Sequence, residues 1–362
     1  MPRYRAGVEK NLSFLSFKPT SETKVNKPIR PERGIAMTDT EQTGQPFDDI
    51  RALISTMPEI GGEAETDVCK EAISLGRGLR PIGRLKAPLS RIADCQSAPM
   101  PMLSRPLIAV FAGTHGVAER LGYEDIVAAS KARIESLTEG QAAVRGVAGE
   151  LGAAYKVYEF GLDYPSADFT QTNSLSERDC AAAIAFGMEV VTEGADIIVL
   201  GAAGLGAATA AAAMNIALYG GAANYWAGGE GAQDRIKAVE LGISAHSGET
   251  SDPLEILRIF GGREIAGLVG AILAARHQRI PILLDGYVSC AAAAILHSID
   301  PAAMDHCIAS HISAEPAHDA LLSRLGLTPV VDFDINIGDG TGGAIALAVL
   351  KAGGAGLASM KA

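Results

Sequence analysis

The sequence predicts an α/β protein built on a doubly wound parallel sheet of Rossmann-like type. Two observations carry that expectation. Short apolar runs recur along the chain, followed by a turn and then a helical stretch, the rhythm of a parallel sheet with helices on both faces. The composition agrees: 41 glycines and only 5% aromatic residues suit close-packed helices and many turns better than a β-sandwich. With 362 residues, the chain can bury a large core in one large or two unequal domains.

The first 36 residues are basic and polar and lack the continuous apolar stretch of a secretory signal. They read, up to residue 44, as a disordered extension. From Phe47 to about Leu103 the pattern is helical and interrupted, with "PFDDIRALISTM" and "TDVCKEAISLGRGL" carrying apolar residues three to four apart. Buried strands are expected at 106–113, 156–161, 196–204, 280–286 and 329–333, within an α/β region spanning 105–350. Between them, 176–194 and 252–279 read as helices, and an alanine- and leucine-rich helix follows from Gly343.

The net charge of −11 argues against nucleic acid or an anionic membrane as a main partner. No run of 18 apolar residues occurs. Cys69, Cys95, Cys180, Cys290 and Cys307 form no CxxC pair and read as buried free thiols of a cytoplasmic protein.

In a doubly wound sheet, ligands bind beyond the carboxyl ends of the strands. The candidates there are Gly113 to Gly116, Gly201 to Gly206, Asp285-Gly286, the segment around His311, and Gly338 to Gly342. "GAAGLG" lacks the acidic ribose partner of a dinucleotide site, so no nicotinamide dinucleotide is expected. Asp339 reads either as a proton-accepting carboxylate or as the turn residue that starts the next helix. His115 either contacts ligand or donates to a backbone carbonyl. Glu264 is accounted for by the preference for negative charge at a helix start. Asp285-Gly286, at a strand end, reads as a turn or as a polar contact, with the turn preferred. Tyr225 and Trp226 either cap a pocket or lie in a surface loop. His306, His311 and His318 recur without strict ligand spacing, so no metal is expected.

Several segments, in order, resemble one family. They are "FAGTHGV" (111–117), "SDPLEILRIFGGREIAGLVGAILAA" (251–275), "PILLDGYV" (281–288), "SHISAEPAH" (310–318) and "IGDGTGGAIAL" (337–347), with "LRPIGRL" (79–85) as a worn entry motif. Together they resemble nicotinate-nucleotide:dimethylbenzimidazole phosphoribosyltransferase, which makes the lower-ligand nucleotide of cobalamin, over roughly 45–360. The resemblance implies transfer of phosphoribose from nicotinate mononucleotide to 5,6-dimethylbenzimidazole without a cofactor. It also implies a homodimer and a smaller helical domain built from 45–104 and the tail 351–362. By the same resemblance Asp339 holds the place of the catalytic base, with Gly338, Gly340, Thr341 and Gly342 around it. Gly201, Gly204, Gly206 and Thr209 form the sugar loop and Arg235 the phosphate cation, while Ser313, Glu315 and His115 line the site.

The chain also departs from the pattern. Asp339 replaces a glutamate, which shortens the reach of the carboxylate by about 1.5 Å, and a misplacement of about 1 Å can cost on the order of a hundredfold in rate. The sugar loop "GAAGLGAAT" carries Ala202, Ala203, Ala207 and Ala208 where the family has polar or longer side chains, and Ala132 stands at a glutamine. These departures admit a second reading, a paralogue that binds a nucleotide without catalysis, accepts another base, or pairs with an active subunit.

Overall fold

The computed structural model describes residues 44–60, 80–139 and 142–359. The expected extension up to Thr43, Cys69 and the helical stretch at 66–79 lie outside them. Five parallel strands form the sheet, in the order β2-β1-β3-β4-β5. They are β1 (Pro106–Ala112), β2 (Ala154–Glu159), β3 (Ile197–Ala202), β4 (Ile282–Leu284) and β5 (Cys307–Ala309). The chain leaves β1 to one side for β2 and returns to the other side for β3. The switch point of this doubly wound order therefore lies between β1 and β3.

Alternation along the strands sorts the core into two layers. Leu107, Ala109 and Phe111 join Ile198 and Leu200 on one face, while Ile108, Val110, Ala112 and Val199 point to the other. Both faces are buried, which is why these strands read as continuous apolar runs. The first face is covered by the helices Glu177–Met188, Ala207–Tyr219, Arg263–His277 and Gly286–Ile299, and the second by Ala143–Leu151 and Thr341–Ser359. Local signals set the helix starts: Asp252 Oδ1 accepts from Leu254 N at 3.0 Å ahead of Pro253, and Ser176 Oγ accepts from Asp179 N at 3.1 Å.

One expectation is corrected. The run at 329–333 is not the fifth strand of the sheet. Val331–Ile335 (β7) instead pairs with His311–Ser313 (β6) in a separate two-stranded ribbon. The fifth strand is Cys307–Ala309, three residues between His306 and Ser310, too short to show as an apolar run. The helix Pro46–Ser55 packs through Phe47, Ile50 and Ile54 on the first face, whereas Lys86–Cys95 packs through Leu89 and Ile92 on the second. Thr43–Ala362 is one compact unit, and the helix Thr341–Ser359 runs unbroken across the expected boundary at 350. That helix is long and apolar enough to cross a membrane, but half of it is buried in the fold.

Candidate active site at the carboxyl end of the sheet

Beyond the strand ends, the structure gathers the expected residues into three groups. The first surrounds Asp339 on the second face. Gly201, near the end of β3, lies so close to the loop that a Cβ there would meet Gly340 N at 2.8 Å and Gly338 O at 3.1 Å. Ala202 N donates to Gly338 O at 2.8 Å, which ties the loop to the sheet. Asp285, fully buried at the end of β4, accepts from Gly340 N at 2.8 Å and Gly343 N at 2.7 Å, with His311 Nδ1 3.6 Å away. Burial pushes its carboxyl above the ordinary aspartate range, against the pull of His311 and the two amides. Asp285 is thus more than a turn residue: it clamps the amides at the start of the helix Thr341–Ser359. Gly342 lies against the His311 ring, with no room for a side chain between them.

Asp339 itself is fully buried. Its Oδ1 accepts from Thr341 N at 3.0 Å, the bond of a helix-starting turn, while Oδ2 has no partner among the described residues. Thr341 Oγ1 and the Tyr155 hydroxyl are likewise buried without partners. Burial, with the Asp339 charge second, pushes Tyr155 up to about 12. Asp339 Oδ2 and Thr341 Oγ1 are thus unsatisfied polar atoms two residues apart in one loop, each costly to leave unpaired.

The second group lies under the switch point on the first face. His115 Nε2 and Glu264 Oε1 are hydrogen-bonded, and both residues are buried. Backbone surrounds the carboxylate: a Cβ at Gly113, Gly204 or Gly262 would run into it. Glu264 Oε2 and His115 Nδ1 have no partner among the described residues. The pairing of β1 with β3 continues past the strands above them, through His115 N to Leu205 O at 3.1 Å. Neither sequence reading of His115 named Glu264, and a helix-start preference for charge does not account for burial of its carboxylate. The signal was present in the glycines Gly113, Gly204 and Gly262, but it becomes readable only once β1 and β3 are known to be neighbours. At Gly206, φ of 90° suits a residue without a side chain, and its carbonyl accepts from Thr209 N at 3.0 Å. Thr209 is buried in the helix that follows.

In the third group, Arg235 Nη1 and Nη2 donate to Glu315 Oε1 and Oε2 at 3.3 and 3.2 Å, and Arg235 Nε is buried without a partner. Ser313 ends β6; its N donates to His318 Nδ1 at 2.9 Å, and its Oγ accepts from Glu315 N at 3.4 Å. Burial, then the charge of His311, lowers His318 to about 3, so its ring is a neutral acceptor. Trp226 is buried, with Nε1 donating to Gly220 O at 2.8 Å, and the neighbouring Tyr225 is half exposed. Cys95, Cys180, Cys290 and Cys307 are buried free thiols.

Comparison with known proteins shows the family. The family model DBI_PRT, described as Phosphoribosyltransferase, matches residues 58–362. Nicotinate-nucleotide–dimethylbenzimidazole phosphoribosyltransferase of Rhizobium etli is 42% identical over 319 residues, covering 86% of this chain and 94% of the relative. The protein of that name from Methylocella silvestris is 42% identical over 313 residues, covering 85% and 92%. Among solved structures, CobT from Thermus thermophilus superposes with a TM-score of 0.73 at 28% identity, covering 82% of this chain and 96% of that one. The motifs, the switch-point geometry and these likenesses agree, and the chain belongs to the nicotinate-nucleotide–dimethylbenzimidazole phosphoribosyltransferase family.

Proposed function

We propose that this protein transfers the 5-phosphoribosyl group of nicotinate mononucleotide to 5,6-dimethylbenzimidazole or a related base. The products are α-ribazole 5′-phosphate and nicotinate, in cobalamin biosynthesis. The observation that carries this reading is the 42% identity, over 86% of the chain, to relatives bearing that enzyme's name. In the reaction the bond from C1′ to the pyridinium nitrogen breaks, and its electron pair stays on nicotinate, which leaves neutral at nitrogen without a general acid. An imidazole nitrogen of the acceptor bonds to C1′, and the proton on the other nitrogen must go to a base.

Asp339 is assigned that proton. Among the described residues its Oδ2 is a carboxylate oxygen without a partner, and Thr341 Oγ1, two residues on, is a further unused polar atom. Gly338, Gly340 and Gly342 keep this loop close to the sheet, with Gly201 beneath it. Arg235 is assigned the 5′-phosphate, which would take over the guanidinium from Glu315; Glu315 and Ser313 then stand ready for sugar hydroxyls. Gly204, Gly206, Thr209 and His115 shape the facing loop. A homodimer is the proposed assembly, and the substrates are small molecules.

The test is nicotinate release by purified protein given nicotinate mononucleotide and a panel of benzimidazoles, purines and phenols, with Asp339→Asn alongside. Release that requires an acceptor and falls on the order of a hundredfold or more in Asp339→Asn supports the reading. Release that is unchanged in Asp339→Asn removes Asp339 from the role of base. No release with any acceptor overturns the transferase reading and favours a nucleotide-binding paralogue.

A further inference from the structure

The ion pair of Arg235 with Glu315 joins two fixed pieces of backbone. Arg235 is the third residue of the helix Gln233–Ala245. Glu315 stands on a turn in which Ser313 N donates to His318 Nδ1 at 2.9 Å and His318 N to Glu315 O at 3.0 Å, with the His318 ring fully buried. Pro316 follows and disfavours helical backbone at Glu315. Gly229 packs on the Pro316 ring, where a Cβ would stand 3.7 Å from Cγ. The Glu315 side chain is therefore the part of this turn that is free to move.

The pair itself is loosely made. Its two bonds, at 3.3 and 3.2 Å, run from one guanidinium to both carboxylate oxygens, but such bonds commonly close to about 2.7–2.9 Å. Both side chains keep part of their surface in solvent, 23% for Arg235 and 14% for Glu315, so a ligand reaches the junction without opening the core. A phosphate matches the guanidinium fork as a carboxylate does, and carries more charge. Without ligand, Glu315 thus occupies the place of an anion on Arg235.

The cost of displacing it depends on what displaces it. A carboxylate largely withdrawn from water and stripped of its cation is left with unsatisfied acceptors. Inorganic phosphate leaves that carboxylate beside a second anion. A phosphorylated ribose carries hydroxyls a few bonds from its phosphate, and these donate to the carboxylate that the phosphate has displaced. We propose that Glu315 is an internal competitor for the phosphate position, a lock that a phosphorylated ribose opens and a bare phosphate opens poorly. It selects for phosphate and hydroxyls on one molecule and keeps the empty site from filling with free phosphate. This inference rests on the assignment of Arg235 to the 5′-phosphate and adds to it the basis of selection.

Calorimetric titration of the full chain with nicotinate mononucleotide and, separately, with inorganic phosphate tests the lock. In Glu315→Gln the side chain keeps its length and an oxygen for a hydroxyl but cannot hold the guanidinium as an ion pair. Inorganic phosphate should then bind about fivefold or more tighter than in the wild type, with nicotinate mononucleotide unchanged or weaker. The gain should vanish when Arg235→Ala is combined with Glu315→Gln. Glu230→Gln, which removes an equal charge from the exposed loop ahead of the helix, should not reproduce it. Glu315→Asp draws the carboxylate back from Arg235 and should show a smaller gain, which keeps the test open if Glu315→Gln unfolds in thermal melts. Inorganic phosphate bound no more tightly in Glu315→Gln than in the wild type overturns the proposal. A gain that survives the loss of Arg235 overturns it too, since the effect is then one of general charge, as does the absence of binding by either ligand. Nicotinate mononucleotide bound equally well with and without Arg235 removes the phosphate assignment and the lock with it. Nicotinate release reports separately on the transfer reaction: a chain without turnover that still gains phosphate affinity in Glu315→Gln keeps the lock and loses the transferase reading.

Discussion

Two buried carboxylate centres stand at the carboxyl end of one sheet, on opposite faces, and they differ in how completely the protein satisfies them. On the second face Asp285 receives two backbone amides and faces His311, while Asp339 beside it has one oxygen bonded and one without a partner among the described residues. On the first face Glu264 has His115 on one oxygen and, among the described residues, nothing on the other. Saturation separates the roles. A buried carboxylate whose hydrogen bonds are complete holds structure, because removing it strands its donors, and a buried carboxylate with a spare oxygen keeps capacity for a proton or a ligand. By this measure Asp285 is the clamp of the loop and Asp339 its available group, although the sequence offers Asp285 chiefly as a turn residue.

The sharpest way to break the comparison is Asp285→Ala. Two buried amides, Gly340 N and Gly343 N, lose their acceptor at once, at about 1–3 kcal/mol each. The expected outcome is a loss of about 2–6 kcal/mol in denaturant unfolding, with transfer activity falling as the loop leaves the sheet. Asp339→Ala strands only Thr341 N and should cost about half as much stability. Equal losses in the two variants would dissolve the distinction between clamp and available group.

The first face is probed through its glycines. In Gly204→Ala the new methyl meets Glu264 Oε1 beside the His115 bond, and in Gly113→Ala it meets Oε2. Either must push the carboxylate off its place, at about 1–3 kcal/mol for overpacking. If Glu264 is held by this packing, Glu264→Ala combined with Gly204→Ala should recover most of the glycine variant's cost. A purely additive double variant would show that the crowding has no part in placing the carboxylate.

How far the sequence reaches follows from the same contrast. The strands β1, β3 and β4 were legible because burial on both faces leaves continuous apolar runs, and the loops at their ends were legible as glycine clusters. The strand β2, expected to be buried, is the edge strand, with Tyr158 its one buried residue. The fifth strand was not legible, since Cys307–Ala309 is defined by its pairing with β4 and not by its length. Val331–Ile335 misled because it continues the apolar run Pro329-Val330-Val331, while Asp332 to Asp334 are exposed and the strand pairs only with the short β6. In the site, Asp339 could be read from the loop motif alone. Glu264 and the clamp at Asp285 could not, because their partners are 149 and 55 to 58 residues away, and only the fold brings them together.

The smallest expected effect extends the comparison from acids to a buried base. His306 is fully buried between β5 and the helix Arg263–His277, and its Nε2 donates to Ile272 O at 2.9 Å. Like Asp285 it is satisfied, but in its neutral form. Burial, followed by the charge of Arg276, lowers it from 6.5 to about 3, with Arg91 adding in the same direction and the Ile272 bond opposing. A histidine whose pKa is lower folded than unfolded binds fewer protons in the native state. Its contribution to stability is therefore full above pH 6.5 and is lost as the pH falls from 6.5 towards about 3. His306→Gln keeps a donor for Ile272 O and removes the titration. Between pH 6.5 and about 4.5 the wild-type protein should lose on the order of 2 kcal/mol more than this variant, or several degrees in Tm. Parallel pH profiles would mean that the native state accommodates the imidazolium, and then saturation of a buried group would not by itself mark it as structural.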